Sequence, residues 1–127
     1  MTDRSQVEQL VKELHAARLA GDLERLCRLY AQDARLRIAG SSDGKAIAID
    51  ASRIVQIRPW LAILIKTFRL SHYCLMSLTI DDGAAAAHWQ VDIESKVTGI
   101  STATELVDLV QVRNGRITSQ IEFFVPR

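Results

Sequence analysis

The sequence predicts an α+β domain of 127 residues in which helices come first and a long-stranded antiparallel sheet follows. Three observations carry this. Apolar residues recur at helical spacing near the N-terminus. From Phe68 onward they largely alternate. Short glycine-containing turns then punctuate the chain at Asp82-Gly83, Thr98-Gly99 and Asn114-Gly115. A chain of this length builds one hydrophobic core, so residues 1–127 are read as a single domain.

Each element has its own signal. Val7, Leu10, Val11, Leu14 and Leu19 trace the apolar stripe of a first helix, with Thr2 or Ser5 as its cap and Gly21 as its end. Asp22 caps a second helix whose stripe is Leu23, Leu26, Cys27 and Tyr30. "ARLRIA" at 34–39 alternates as a short strand, and "GSSDGK" at 40–45 reads as a loop. "DASRIVQIRPWLAILIKTF" from Asp50 is helical, and Pro59 is expected to kink or split it. Four long strands follow, two on either side of Thr98-Gly99, joined by short turns into a meander. A sheet this long must curve, and the helices must cover one of its faces.

Composition narrows the function. The net charge is +1 with both signs interspersed, which argues against nucleic acid or an anionic membrane surface as the main partner. The longest apolar stretch, "WLAILI" at 60–65, is far short of a membrane span. The polar start "MTDRSQVEQLVKEL" lacks a secretory apolar core, and Cys27 and Cys74 lack CxxC or zinc-ligand spacing. A cytoplasmic protein with two reduced thiols is expected. No nucleotide motif and no metal-ligand set is present, so no cofactor is expected.

Ala20-Gly21-Asp22-Leu23 between the first helices, Leu29-Tyr30-Ala31-Gln32-Asp33-Ala34 leading into the first strand, and Val112-Arg113-Asn114-Gly115-Arg116-Ile117 in the last hairpin stand in a familiar order. Together they resemble the NTF2-like superfamily, the cone-shaped fold of ketosteroid isomerase, limonene epoxide hydrolase and the SnoaL-type polyketide cyclases. The resemblance implies a strongly curved sheet of about four long strands and one short one, wrapped around the N-terminal helices. It also implies a small-molecule cavity and a homodimer. It does not carry an activity, because the superfamily includes isomerases, hydrolases, cyclases and inert binders. The isomerase's first-helix tyrosine falls on Leu14 and its base on Ile38; its second oxyanion-hole acid survives as Asp108. The epoxide hydrolase's last-strand aspartate falls on Glu122, and its arginine is missing at Trp89 or Gln90.

Asp108 and Glu122 are the carboxylates of a hairpin otherwise made for burial, and their relation depends on register. With a two-residue Asn114-Gly115 turn, Asp108 faces Ile121 and Glu122 points to the other side. With a three-residue turn and a bulge, Asp108 faces Gln120 and Glu122 is its diagonal neighbour. Segregation of apolar residues favours the first register; the family resemblance favours the second. In the second, Thr104, Leu106, Asp108, Gln120, Glu122 and Phe124 line the cavity, joined by Trp89, Val91 and Ile93 and by Leu14 and Trp60 from the helices. Val107, Leu109, Ile117, Ile121 and Phe123 then form an apolar outer face suited to a second copy of the chain.

Asp108, Glu122 and His72 are the candidate catalytic residues. Buried among apolar groups, Asp108 would stay protonated and donate to an oxyanion; the plainer reading is a carboxylate hydrogen-bonded near the sheet edge. Glu122 is a general base or one half of a surface ion pair. His72, in phase with Cys74, Met76 and Leu78, is a proton shuttle beside Asp108 or a core histidine. His15 and His88 read as surface residues. Two functions stay open. One is a cofactor-independent acid–base enzyme (isomerase, cyclase, dehydratase or hydrolase) acting on a largely apolar molecule; the other is a non-catalytic ligand-binding or dimerisation module.

Overall fold

The computed structural model describes residues 3–42 and 44–127. Helix α1 (Arg4–Ala20) leads through α2 (Leu23–Cys27) into β1 (Tyr30–Ser42) and β2 (Lys45–Ser52). Helix α3 (Ile54–Thr67) then precedes β3 (Phe68–Asp81), β4 (Ala84–Ser95), β5 (Ser101–Arg113) and β6 (Arg116–Pro126). One six-stranded sheet has the order β2-β1-β6-β5-β4-β3, with β1 and β6 parallel and every other pair antiparallel. Helix α1 packs on β3 and β4, and α3 on β1 and β2, so both cover the same inner face.

Local chemistry explains the helix ends. The Asp3 carboxylate caps α1 by accepting from the Ser5 N–H, taking the role expected of Thr2 or Ser5; Thr2 lies outside the described residues. Gly21 closes α1 at φ 65°, and its N–H reaches the Ala17 and Arg18 carbonyls. Asp22 caps α2 through the Arg25 N–H, as expected.

Helix α3 begins at Ile54 rather than Asp50, and it runs through Pro59 as one helix. The hydrogen bond that Pro59 cannot donate would have gone to Val55, which is 73% exposed, so water can take its place. Lys45, read as the end of a loop, and residues 50–52, read as a helix start, belong together with residues 46–49 to β2, because β1 continues to Ser42 and offers a partner.

The last hairpin follows neither expected register. Asn114 (φ 53°) and Gly115 (φ 74°) make a two-residue turn, with Val112 opposite Ile117. One extra residue on β6, Thr118, then bulges out, because Gln111 pairs with Ser119. That shift carries down the ladder and sets Asp108 directly opposite Glu122. Ile117 lies before the bulge, and its pairing with the inward Val112 buries it fully, away from the outer face assigned to it.

A similar device acts in β3. Ser71 pairs with Asp92 but Cys74 pairs with Gln90, so an extra residue is absorbed around His72, which sits at φ 56°. The bulge turns His72 outward and Tyr73 inward.

Val7, Val11 and Leu14 of α1, Leu36 of β1, and Ile57 and Leu61 of α3 meet the inward sheet residues in the main core. Each such side chain contributes roughly 1.5–3 kcal/mol of transfer free energy on burial. Gly40 of β1 makes room for Phe124: a Cβ there would lie 2.3 Å from the Phe124 carbonyl oxygen and 2.5 Å from its ring.

Candidate functional site

The inner face of β4–β6 carries a polar centre inside this core. Asp108 is fully buried and accepts three hydrogen bonds: from His15 Nε2 at 3.0 Å, Trp89 Nε1 at 2.8 Å and Gln120 Nε2 at 3.1 Å. His15 stacks on Trp89 with ring centroids 4.4 Å apart, and its Nδ1 lies 2.6 Å from the Tyr73 hydroxyl. Tyr30 donates to the Gln120 side-chain oxygen, which turns the Gln120 amide nitrogen toward Asp108. Opposite Asp108, the buried Glu122 accepts from Arg18 Nη1 at 2.8 Å. Arg18 and His15 both come from α1, which places a cation and an imidazole beside a carboxyl pair.

Burial favours the neutral form of both carboxyls, but their partners separate them. For Asp108, the His15 hydrogen bond and charge, followed by Glu122 and Arg18, outweigh burial and hold the carboxyl below the usual range. For Glu122, burial dominates, Arg18 offsets only part of it, and the facing Asp108 charge pushes the group up to about 7. Of the two facing carboxyls, Glu122 is therefore the one that holds a proton more readily. Burial lowers the Arg18 pKa, but the Glu122 and Asp108 charges more than restore it, so the guanidinium stays charged.

A cavity of about 340 Å³ opens beside this centre, near the lower end of the ~300–1,000 Å³ typical of small-molecule sites. Its walls are apolar, with Ile49, Leu64, Phe68, Leu70, Leu106 and Phe124 among them. Among the described residues, Arg18 and Glu122 are the charged side chains in its lining.

The expected site residues divide accordingly. Glu122, Ile93, Thr104, Leu106 and Phe124 line the cavity. Asp108, Trp89, Gln120, Val91 and Leu14 are buried behind its wall, and Trp60 is 40% exposed on α3. Asp108 accepts from three donors and is an ionised acceptor rather than the neutral donor anticipated for it.

His72 does not stand beside Asp108. Its side chain is 81% exposed and its Nδ1 pairs with Asp92 at 2.9 Å, because the β3 bulge points it outward. The imidazole beside Asp108 is that of His15, expected at the surface but buried. His15 lies at i+4 from Val11 and i+8 from Val7, and Arg18 at i+4 from Leu14. Both polar residues are thus in phase with the apolar stripe of α1, which is the signal that would have found them. His88 is half-buried and paired with Glu105.

Comparison with known proteins places this geometry. Among solved structures, an NTF2-like protein from Burkholderia xenovorans LB400 superposes with a TM-score of 0.80 at 18% identity, covering 98% of this chain and 92% of that one. An LEH-like epoxide hydrolase from M. tuberculosis superposes at 0.73 with 12% identity, over 94% of this chain and 83% of that one. A de novo designed protein with a curved β-sheet also superposes, at 0.66 with 19% identity, over 96% and 87%. At these identities the likeness is one of fold, and the designed protein shows that the curved sheet forms without an evolved activity. A search of curated proteins finds no match. The model of the SnoaL-like domain matches residues 11–120, from the middle of α1 to the Gln120 that touches Asp108. With the helices and curved sheet in agreement with that match, the chain belongs to the SnoaL-like domain family.

Proposed function

We propose that this protein is a cofactor-independent acid–base enzyme, of the isomerase, cyclase, dehydratase or hydrolase type, acting on a small, largely apolar molecule. The observation that carries this reading is the position of Glu122. It is a carboxyl poised near neutrality at the wall of an apolar cavity, beside a fixed cation. A group with a pKa near the working pH is present in both forms and transfers protons most effectively.

In its ionised form Glu122 takes a proton from a carbon next to a carbonyl. The negative charge moves to the carbonyl oxygen, where the Arg18 guanidinium stabilises it. Glu122 then returns the proton to a different atom, completing an isomerisation, or a leaving group departs instead. Asp108 does not touch the ligand in this scheme; its charge holds the proton on Glu122. Ile93, Thr104, Leu106 and Phe124 provide the ligand-facing walls.

The test is solvent exchange. A panel of cyclic and open-chain ketones is incubated with the protein in D₂O, and deuterium incorporation is followed by NMR. Exchange is expected for at least one ketone and should be lost in Glu122→Gln. Absence of exchange across the panel, or equal exchange in the variant, removes the reading.

A second reading is supported by Arg18 and Glu122 already satisfying each other. A pocket whose charges are internally paired suits a non-catalytic binder. Binding of panel members without exchange would favour it.

We further propose a homodimer. Leu109 and Phe123 are 41% and 46% exposed on the outer sheet face, where Val107 pairs with Phe123 and Leu109 with Ile121 in one apolar strip. We propose a cytoplasmic location, in which Cys27 and Cys74 would stay reduced. No helix among the described residues is long and apolar enough to cross a membrane.

A further inference from the structure

Two tyrosine hydroxyls touch neither the cavity nor Asp108, yet each holds a group that touches Asp108. Tyr30 O–H donates to Gln120 Oε1, and an amide fixed at its oxygen presents its NH₂ elsewhere, here to Asp108 Oδ1. Tyr73 O–H lies against His15 Nδ1. The Tyr73 oxygen at Nδ1 fixes the ring so that Nε2 faces Asp108 Oδ2, and an Nε2–H donates there both in the imidazolium and in the neutral tautomer whose Nδ1 accepts. With Trp89, these give Asp108 three N–H donors; Arg18 is the donor on Glu122. Donors stabilise the ionised form of whichever carboxyl receives more of them.

We propose that Tyr30 and Tyr73 are positioning residues that aim Gln120 and His15 at Asp108, and so leave the pair's single proton on Glu122, the carboxyl that meets the cavity. A proton on Asp108 would lie behind the wall, out of a ligand's reach. The use of that proton rests on the acid–base reading above; its location does not. The titratable and charged groups around the pair are Arg18 and His15 from α1, Tyr30 from β1 and Tyr73 from β3. Tyr→Phe removes a hydroxyl and keeps the ring that fills the core.

Carboxyl ¹³C NMR titration of aspartate- and glutamate-labelled protein tests this in wild type, Tyr30→Phe, Tyr73→Phe and the double variant. The Asp108 midpoint should rise and the Glu122 midpoint fall, by ~1 pH unit in each single variant and by more in the double. A purely structural role would lower thermal stability and leave both midpoints in place. That result, or midpoints moving in the same direction, overturns the proposal. Should Tyr30→Phe fail to fold, Gln120→Met deletes the donor itself with a chain of similar length and is judged by the same criterion. The titration needs no turnover, so a negative exchange assay would remove the enzymatic reading and leave this one standing.

Discussion

Glu122→Gln should flatten the pH dependence of stability. The Glu122 carboxyl is 3% exposed and pushed from its ordinary 4.5 to about 7 in the folded protein. In the unfolded chain it returns to the ordinary value. Between these two pH values the folded state holds a proton that the unfolded state has released, so stability falls as pH rises. The contribution is fully present below about 4.5 and is gone above about 7. A gap of about 2.5 units at ~1.36 kcal/mol per unit amounts to about 3 kcal/mol. A glutamine copies the protonated acid: its oxygen accepts from Arg18 and its amide donates to Asp108. Urea unfolding followed by fluorescence of the buried Trp89 at pH 5, 6, 7 and 8 measures the effect at one protein concentration. Wild type should lie within about 1 kcal/mol of the variant at pH 5 and fall about 2.5 kcal/mol further behind it by pH 8. Groups elsewhere titrate equally in both proteins and cancel in the difference. Parallel curves across this range would mean that Glu122 titrates normally, and the assignment of the shared proton would be wrong.

Gly40→Ala should destabilise by ~1–3 kcal/mol in chemical unfolding, because the new methyl meets the Phe124 backbone and ring. Ile121→Glu puts a charge at the centre of the outer apolar strip and should convert a dimer to a monomer in sedimentation; a wild type already monomeric at micromolar concentration would refute the interface. His72→Asn keeps a residue that tolerates the left-handed backbone and should change stability by less than ~0.5 kcal/mol and leave ligand binding untouched. A large loss of binding in that variant would return His72 to the site.

The local part of this protein was legible in the sequence. Gly21 ends α1 and Asn114-Gly115 turns the last hairpin because the left-handed backbone needed there is written in the residue itself. The α+β order and the curved sheet followed from periodicity and from the family resemblance, which also marked Asp108 and Glu122 as the two carboxyls of the last hairpin without pairing them. What the tertiary structure decided was phase. A bulge is a property of two strands together: Thr118 and His72 look ordinary in their own strands, and only the partner ladder shows that each region carries an extra residue. One such residue puts Asp108 opposite Glu122; the other exchanges His72 for Tyr73 on the inner face. Strand β2 likewise forms because the long β1 offers it an edge; the alternation of Ile47 and Ile49 is too short a run to announce it alone. His15 and Arg18 could have been read from the stripe of α1. Their burial becomes tolerable only because Asp108 and Glu122, roughly a hundred residues later, supply the acceptors that a buried donor and cation require.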